Sequence, residues 1–485
     1  MIKAQKSSKG KRLGIADIAD QIARVIDDTQ SGAKELMEPV LRIGVTGLSR
    51  AGKTVFITSL IANLLDRSRM PGLQAEAEGR ISATFLQPQP DDTIPRFAYE
   101  AHLRALNAPA PFWPDSTSSI SQLRLSLRLR PVGLLRSMRG QRVVHIDIVD
   151  YPGEWLLDLP LLKQSYEQWS AQALALAATP ARHALATDWL AQTDDAAPGA
   201  ALDEPQAQAL AAAFTAYLLA ARGAGFSNCA PGRFLLPGDL KGSPALTFAP
   251  LPRPAKARSS TLYGAFERRF EAYKKQIIKP FFRDHFARID RQIVLVDALG
   301  AIDSGPAAVD DLRAALSEIL TSFRPGKNHI LSRITGKRVE KILFAATKAD
   351  HIHHSQHPRL TAFLEALLTE AKDAANWKGA ETEALSLAAL RATVEQSTRH
   401  EGEVLELVRG RLQDGGKEVA LHPGDLPADP ARLLTPARQG ALVWPGDISY
   451  HLPVFAPPKP LDAAPHGLAH IRMDKAAAFL LGDKL

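Results

Sequence analysis

The chain has 485 residues, 45% of them hydrophobic and 23% charged, which is the composition of an ordinary globular protein long enough for about three domains. Its net charge of +7 and isoelectric point near 9.3 permit an acidic partner, a membrane surface or nucleic acid but require none of them. The single cysteine, Cys229, excludes an intramolecular disulfide and fits a reducing compartment.

The N-terminal segment combines a basic tail with one amphipathic helical pattern over residues 15–26, and it lacks the long apolar run of a secretory signal. That helix either docks on the domain behind it or touches a membrane. The longest uncharged run, Ala209–Ala221, is too short to cross a bilayer. We therefore expect a cytoplasmic protein that is soluble or peripheral.

The strongest signal is a glycine-rich stretch between a short strand pattern, Ile43–Thr46, and an amphipathic helical pattern. It reads Gly-Leu-Ser-Arg-Ala-Gly-Lys-Thr at residues 47–54, the G-x-x-x-x-G-K-[ST] pattern of a P-loop. Backbone N–H groups and a helix N-terminus there bind phosphates, Lys53 adds charge, and Thr54 supplies a hydroxyl for Mg²⁺. The complete motif with both flanks disfavours the alternative, a plain glycine turn. The predicted phosphate-binding residues are Gly47, Ser49, Arg50, Ala51, Gly52, Lys53, Thr54 and Val55.

A predicted antiparallel hairpin follows, with strand patterns over residues 123–130 and 143–149. Its second strand ends in Asp-Tyr-Pro-Gly at residues 150–153. There the Asp150 carboxylate can hold Mg²⁺ through water, and the Gly153 N–H can contact the γ-phosphate. A second D-x-x-G, from Asp297 to Gly300, follows another strand pattern, and we interpret it as the end of the next core strand.

At the end of a later strand pattern, Thr-Lys-Ala-Asp at residues 347–350 resembles the N/T-K-x-D guanine motif of Ras-like GTPases. The Asp350 carboxylate can accept hydrogen bonds from the guanine N1–H and amine, whereas adenine offers the opposite pattern at N1. Thr347 replaces the usual asparagine, and Lys348 is expected to pack along the base. Ala392, after the next strand pattern, is expected to donate its N–H to guanine O6.

An alanine-rich stretch separates these motifs, with helical patterns over residues 168–177, 183–192 and 206–222. A long basic helical pattern over residues 262–289 follows, which Pro280 should kink or break. We interpret its basic residues as a solvated face and expect no nucleic-acid partner, because no aromatic interleaving or binding motif accompanies them.

The sequence therefore predicts an α/β protein: a Ras-like P-loop NTPase core with an inserted helical domain and a β-rich C-terminal extension. This prediction rests on the order of the motifs more than on any single one. The order is P-loop, hairpin with D-x-x-G, strand, strand with T-K-x-D, strand. The predicted units are a basic tail and helix at 1–40, the first part of the P-loop domain at 41–154, the inserted domain at 155–291, the second part of the P-loop domain at 292–393, and the extension at 394–485.

Four stretches narrow the resemblance to one family. They are Phe-Trp-Pro-Asp-Ser-Thr at 112–117, Asp-Tyr-Pro-Gly-Glu-Trp-Leu at 150–156, Pro-Gly-Arg-Phe-Leu-Leu-Pro-Gly-Asp at 231–239, and Thr-Lys-Ala-Asp-His at 347–351. With them the chain resembles the YcjX-type bacterial GTPases over nearly its whole length. The resemblance implies a cytoplasmic P-loop GTPase that uses GTP/GDP and Mg²⁺. It also implies a link to envelope stress and the phage-shock system, with an unidentified protein effector.

Several residues are candidates for the hydrolytic step. Thr117 occupies the switch I slot before the first hairpin strand and is expected to coordinate Mg²⁺, unless its Ser/Thr run is a plain loop. Glu154 stands where Ras-like enzymes place the water-orienting glutamine, and because a carboxylate also repels a triphosphate, slow hydrolysis is expected. Arg233 is the candidate for an arginine supplied in cis, with Arg50 as an alternative phosphate contact. Lys53, Glu154 and Arg233 are thus the predicted catalytic residues.

Several histidines follow the T-K-A-D stretch and suggest a metal site, but their irregular spacing without cysteine favours a polar loop beside the base pocket. These histidines are His351, His353, His354 and His357.

Three functions remain open: a GTP-hydrolysing switch, an ATPase or small-molecule kinase, and a nucleotide-binding scaffold without significant turnover. Asp350 argues against the second.

Overall fold

The structure is a computed structural model that describes residues 38–48, 50–89, 91–115, 119–131, 141–322, 339–374, 380–400, 403–446, 449–459 and 467–485. The predicted N-terminal helix, Ser49 and Thr117 lie outside these described residues. The strands are β1 Val40–Gly47, β2 Ile81–Gln87, β3 Ser121–Leu129, β4 Arg142–Asp150, β5 Arg291–Val296, β6 Lys341–Ala346, β7 Glu381–Ser386, β8 Thr393–His400, β9 Glu403–Arg411 and β10 Glu418–Leu421.

The helices surround these strands on both sides. They are α1 Lys53–Asp66, α2 Gln74–Ala77, α3 Tyr99–Leu106, α4 Tyr166–Ala177, α5 Pro180–Asp195, α6 Glu204–Gly223, α7 Gly232–Leu235, α8 Leu262–Tyr273, α9 Lys279–Asp284, α10 Ala298–Ser304, α11 Pro306–Ser322, α12 His357–Ala374, α13 Ala431–Arg438 and α14 Met473–Leu481. A 3₁₀ segment runs over Gly153–Lys163, directly after β4.

The central sheet has seven strands in the order β2-β3-β4-β1-β5-β6-β7. The five strands from β4 to β7 are parallel, and β3 is antiparallel to β4, which confirms the predicted hairpin. The strand β2 pairs antiparallel with β3 and forms the edge of the sheet. Because the central parallel strands are covered on both faces, they contain unbroken apolar runs, Ile293–Val296 in β5 and Ile342–Ala346 in β6.

Two hydrophobic clusters cover the two faces of the sheet. Alternate residues of β5 belong to different clusters, as the pleat of a strand requires: Ile293 and Leu295 on one face, Val294 and Val296 on the other. The first cluster contains the apolar residues of α1 and of the C-terminal helix α14. The second contains α11, α12 and the helices between β4 and β5. The helices that interrupt the sheet therefore share one continuous core with it.

The predicted helices between β4 and β5 are confirmed by α4, α5 and α6. Aromatic side chains fill their shared interior, with Trp169 stacked on Phe270 at 5.1 Å between ring centroids. The predicted long basic helix is divided, because α8 ends at Tyr273 and a π-helical turn, Lys274–Ile278, leads into α9. Pro280 lies in the first turn of α9, directly after the π-helical turn, and because proline donates no backbone N–H it cannot continue a regular α-helical hydrogen-bond pattern there.

The C-terminal residues form two different structures. Strands β8, β9 and β10 make a separate antiparallel sheet, and α14 returns to the core beside α1. The Nη2 of the buried Arg291 of β5 forms ion pairs with two carboxylates, Glu340 at 2.6 Å and Asp483 at 2.8 Å. Within the described residues, no helix combines the length and hydrophobicity needed to span a bilayer.

A buried ion pair joins α5 to α11. Arg182 donates to Asp311, and only 2% and 6% of the two side chains are exposed. The other Asp311 oxygen accepts from the backbone N–H groups of Ser227 at 2.6 Å and Asn228 at 2.8 Å. Asp311 thus fixes the helical region and the loop after α6 to the sheet-covering helix α11.

We predict that Asp311→Ala lowers the free energy of unfolding by about 3–5 kcal/mol, because it leaves the buried Arg182 guanidinium without its counter-ion. Urea denaturation followed by circular dichroism measures this change. The matched control is Asp310→Ala, whose partly exposed ion pair with Arg313 should contribute at most about 1 kcal/mol. Equal effects of the two substitutions would contradict the prediction.

Candidate functional site

The P-loop connects β1 to α1, and its described residues include two in the left-handed region. Arg50 has φ 59° and Gly52 has φ 74°. A Cβ on Gly52 would meet no atom within 4 Å, so the backbone dihedral, and not crowding, requires glycine there. Helix α1 begins at Lys53, and the apolar face of this helix is buried under the sheet. The loop is therefore anchored by rigid elements on both sides.

Lys53, Thr54 and Asp150 meet at the end of β1 and β4. Val45 pairs with Asp150 in the parallel register, and the Lys53 ammonium donates to the buried Asp150 carboxylate. Ser121 on β3 lies 3.4 Å from the other oxygen of that carboxylate. The Thr54 hydroxyl donates to the Asp115 carbonyl at 3.4 Å, which brings the segment preceding Thr117 to the P-loop.

The glycine of the D-x-x-G motif packs directly against the P-loop. A Cβ on Gly153 would lie 1.9 Å from the Gly47 carbonyl oxygen and 3.0 Å from the Thr46 hydroxyl. No side chain fits at this distance, so the close approach of the two backbones explains why glycine occupies position 153. The phosphate-binding loop and the end of β4 are therefore in contact through the backbone itself.

Glu154 is buried and forms an ion pair with Arg222, at 3.3 Å between Oε1 and Nη2. Both residues line a narrow cavity together with Leu48 of the P-loop and Cys229. Arg222 is on the last turn of α6, far from Glu154 in the sequence. No local sequence pattern indicates this pair, because it depends on how α6 packs after β4.

Arg233, the candidate for an arginine supplied in cis, packs against the 3₁₀ segment that follows β4. Its guanidinium stacks on the Trp155 ring, 3.1 Å from the ring centroid, and burial lowers its pKa. Stacking on Trp155 makes Arg233 part of the packing between α7 and the 3₁₀ segment, and its catalytic role stays a prediction. The basic side chain that the structure places beside Glu154 is that of Arg222.

The buried Asp158 connects the same two elements. It accepts hydrogen bonds from the Gly232 N–H at 2.7 Å and the Tyr273 hydroxyl at 2.6 Å. Burial raises its pKa to about 6, although these hydrogen bonds and the Arg233 charge oppose the shift. Asp158 therefore holds the start of α7 against the 3₁₀ segment.

The predicted base-binding residues come together at the ends of β6 and β7. The Ala392 N–H donates to Asp350 Oδ2 at 2.7 Å, and the Thr393 hydroxyl donates to the Asp350 carbonyl. Lys348 has φ 59°, and its ammonium donates to Asp297 Oδ2 at 2.5 Å. Asp297 follows β5, as expected for the second D-x-x-G, and it therefore orients the lysine of the T-K-A-D stretch.

The histidines after Asp350 have different surroundings. His351 packs edge-on against Phe455 at 5.0 Å between ring centroids, and His357 lies with Nε2 2.7 Å from the Ala349 carbonyl oxygen. Burial lowers the pKa of both imidazoles. His353 and His354 face strands β8 and β9 instead.

Cys229 is buried as expected, and burial raises its pKa to about 12, so its thiol is protonated at neutral pH.

The residues at the P-loop fit a magnesium nucleotide. The Thr54 hydroxyl and the Asp150 carboxylate are the hard oxygen donors that Mg²⁺ prefers, and Lys53 supplies the cation for phosphate oxygens. The space in front of Gly52 leaves its backbone open to a ligand. The site therefore has the donor set for both the cation and the phosphates.

The P-loop after β1, the D-x-x-G after β4 and the T-K-A-D after β6 define the class of the protein. It has a Ras-like P-loop core with added α and β regions. The chain belongs to the YcjX-like family, DUF463, whose model matches residues 41–485.

Two relatives resemble the chain over nearly their whole length. Ras-like GTPase YcjX of Escherichia coli K12 is 38% identical over 457 residues, which cover 92% of this chain and 96% of that protein. Ras-like GTPase YcjX of Shewanella oneidensis is 35% identical over 497 residues, which cover 98% of this chain and 100% of that protein.

We predict that Gly153→Ala destabilises the protein by at least the roughly 1–3 kcal/mol typical of an overpacked interior, because its methyl group would overlap the Gly47 carbonyl. Thermal unfolding followed by circular dichroism measures the change. The matched control is Gly223→Ala in α6, where a Cβ meets no atom within 4 Å and helix propensity favours alanine. An unchanged melting temperature for Gly153→Ala would contradict the described contact.

Proposed function

We propose that the chain binds GTP with Mg²⁺ at the carboxyl ends of β4, β1, β5 and β6 and hydrolyses it slowly to GDP and phosphate. The observation that carries this proposal is that three segments lie together at the carboxyl ends of the parallel strands: the P-loop, the Asp150–Gly153 turn and the Thr347–Asp350 turn. Ligands of open α/β sheets bind at these ends of the strands. Both relatives are named Ras-like GTPase YcjX, which agrees with the proposed GTP hydrolysis.

The phosphate side of the proposed site is built from Lys53, Thr54 and Asp150. When nucleotide binds, Lys53 turns from Asp150 to the β- and γ-phosphate oxygens, and the P-loop N–H groups surround the phosphates. Thr54, Asp150 and Thr117 are the residues that would hold Mg²⁺. The cation, when bound, neutralises charge on the β- and γ-phosphate oxygens. Gly153 is close enough to the P-loop for its N–H to contact the γ-phosphate.

The base side is built from Thr347, Lys348, Asp350 and Ala392. Asp350 accepts from the guanine N1–H and amine, which is the source of discrimination against adenine. The Ala392 N–H, which donates to the same carboxylate, is the proposed partner of guanine O6. Lys348 is held by Asp297, so its stem is fixed beside the base.

Glu154 is the proposed group that orients the attacking water. A free carboxylate would repel the triphosphate, but Arg222 neutralises much of the Glu154 charge. The same ion pair restrains Glu154, which supports slow turnover.

The proposal has three further parts that rest on the family resemblance alone: a protein effector, contact at the inner membrane and a role in envelope stress.

Nucleotide binding tests the proposal through two substitutions that separate its two halves. Lys53→Ala should weaken all nucleotides alike, because it removes a phosphate contact. Asp350→Asn should weaken GDP at least about 100-fold and favour xanthosine diphosphate, whose C2 oxygen replaces the guanine amine. Titration calorimetry with GDP, ADP and xanthosine diphosphate in the presence of Mg²⁺ measures these affinities. Equal or tighter ADP binding by the native chain would overturn guanine selectivity and favour an ATPase.

Single-turnover hydrolysis tests Glu154 separately. Glu154→Ala should lower the rate at saturating GTP about 100-fold or more, the range for loss of a positioned proton acceptor, with little change in GTP affinity. Glu167→Ala, an exposed carboxylate paired with Arg253 on the surface, is the matched control and should leave the rate unchanged. An unaltered rate in Glu154→Ala would assign the water to another group. No hydrolysis by the native chain despite tight GTP binding would favour a scaffold without turnover.

A further inference from the structure

A cluster of imidazoles and carboxylates lies between the loop after Asp350 and the C-terminal sheet. The His354 Nδ1 is 2.7 Å from Glu395 Oε2, and the His353 Nε2 is 3.8 Å from the same oxygen. The His353 Nε2 is also 3.1 Å from Glu406 Oε2. The potential ligand atoms of His353, His354 and Glu395 all lie within 4.8 Å of one another.

The strand register explains why both carboxylates point to the same place. Ser397 of β8 pairs with Glu406 of β9, and Glu395 is on the same face of β8 as Ser397 because side chains alternate along a strand. The two glutamates therefore project from one face of the C-terminal sheet. The loop carrying His353 and His354 covers this face, and the His354 N–H donates to Glu395 Oε1 at 3.2 Å.

We propose that His353, His354, Glu395 and Glu406 form a binding site for a divalent transition metal of the zinc class. Two imidazole nitrogens with carboxylate oxygens are the donor set of such metals, whereas Mg²⁺ and Ca²⁺ take oxygen ligands. Zinc bonds of about 2.0–2.2 Å in tetrahedral geometry place neighbouring ligand atoms roughly 3.3–3.6 Å apart. The distances of 2.7, 3.1 and 3.8 Å lie around that range, so small side-chain rotations suffice.

The surroundings of the cluster support a metal site. His353 is buried at 7% exposure, and its Nδ1 lies 2.9 Å from the Ser355 hydroxyl and 3.4 Å from the Ser355 backbone N. These contacts fix the ring with Nε2 facing the carboxylates. Glu406 is similarly oriented by the Ser397 hydroxyl at 2.7 Å. The His354 side chain is 66% exposed, so an ion can enter from solvent.

This site is separate from the magnesium ligands of the proposed nucleotide site. It joins the loop after Asp350 to β8, the strand that begins beside Ala392. Metal binding would therefore brace the two chain segments that carry the proposed base contacts. That consequence rests on the proposed function, whereas the existence of the metal site does not, and a binding test without nucleotide keeps the two distinguishable.

The test is zinc binding to full-length, tag-free protein that has been freed of metal with a chelator. Titration calorimetry and elemental analysis after dialysis should find one Zn²⁺ per chain, and Co²⁺ at the same site should give visible d–d bands. His353→Ala and Glu395→Gln should each weaken binding by at least the roughly 10–100-fold that loss of a ligand's hydrogen-bonding partner costs. Glu395→Gln is nearly isosteric and keeps an oxygen for the His354 N–H, so it reports on the metal when His353→Ala folds poorly.

The matched control is His183→Ala, which removes an exposed imidazole from α5 and should leave zinc affinity unchanged. Absence of stoichiometric zinc binding by the native chain would overturn the proposal. It would equally be overturned if Glu395→Gln bound zinc as tightly as the native chain, or if His183→Ala reduced the affinity as much. In those cases the four residues form only a hydrogen-bonded cluster.

Discussion

The parallel register of four adjacent strands positions the whole candidate site. Val45 pairs with Asp150, Gly47 with Leu295, and Val296 with Ala346. The loops after β4, β1, β5 and β6 therefore all leave the sheet at the carboxyl ends of its parallel strands. Two ion pairs follow directly from this register. Lys53 of the P-loop reaches Asp150 after β4, and Lys348 after β6 reaches Asp297 after β5. Each lysine is thereby fixed by an aspartate from a neighbouring strand end.

The features that the sequence predicts well are those encoded by adjacent residues. The strands of the P-loop core, the glycine positions of the two phosphate-side motifs and the helices after β4 follow from local apolar patterns and local turn chemistry. Arg222 beside Glu154, and Glu395 beside His354, have no local signal, because each contact depends on how distant elements pack. Arg233 was a candidate because it lies in a Pro-Gly turn, and its stacking on Trp155 likewise has no local signal in the sequence.

The helical region between β4 and β5 is an integral part of the core. It begins immediately after Gly153, and its first residues are enclosed by α7. A Cβ on Gly232 would lie 1.9 Å from the Glu154 carbonyl oxygen, and Asp158 accepts from the Gly232 N–H. Because close-packed interiors do not deform continuously, a displacement of Glu154 has to displace α7 and the end of α6 with it. The segment after the D-x-x-G is thus mechanically linked to the helices that interrupt the sheet.

The C-terminal residues link the phosphate side to the base side. The Asn63 amide of α1 donates to the Leu468 carbonyl at 3.0 Å, and the Arg391 N–H donates to the Ala469 carbonyl at 2.8 Å. The segment before α14 therefore contacts both the helix that follows the P-loop and the turn that carries Ala392. Burial of α14 in the same hydrophobic cluster as α1 holds this segment in place. The phosphate side and the base side of the candidate nucleotide site are therefore connected by the C-terminal residues. The motifs of the sequence predict this region only as a C-terminal extension.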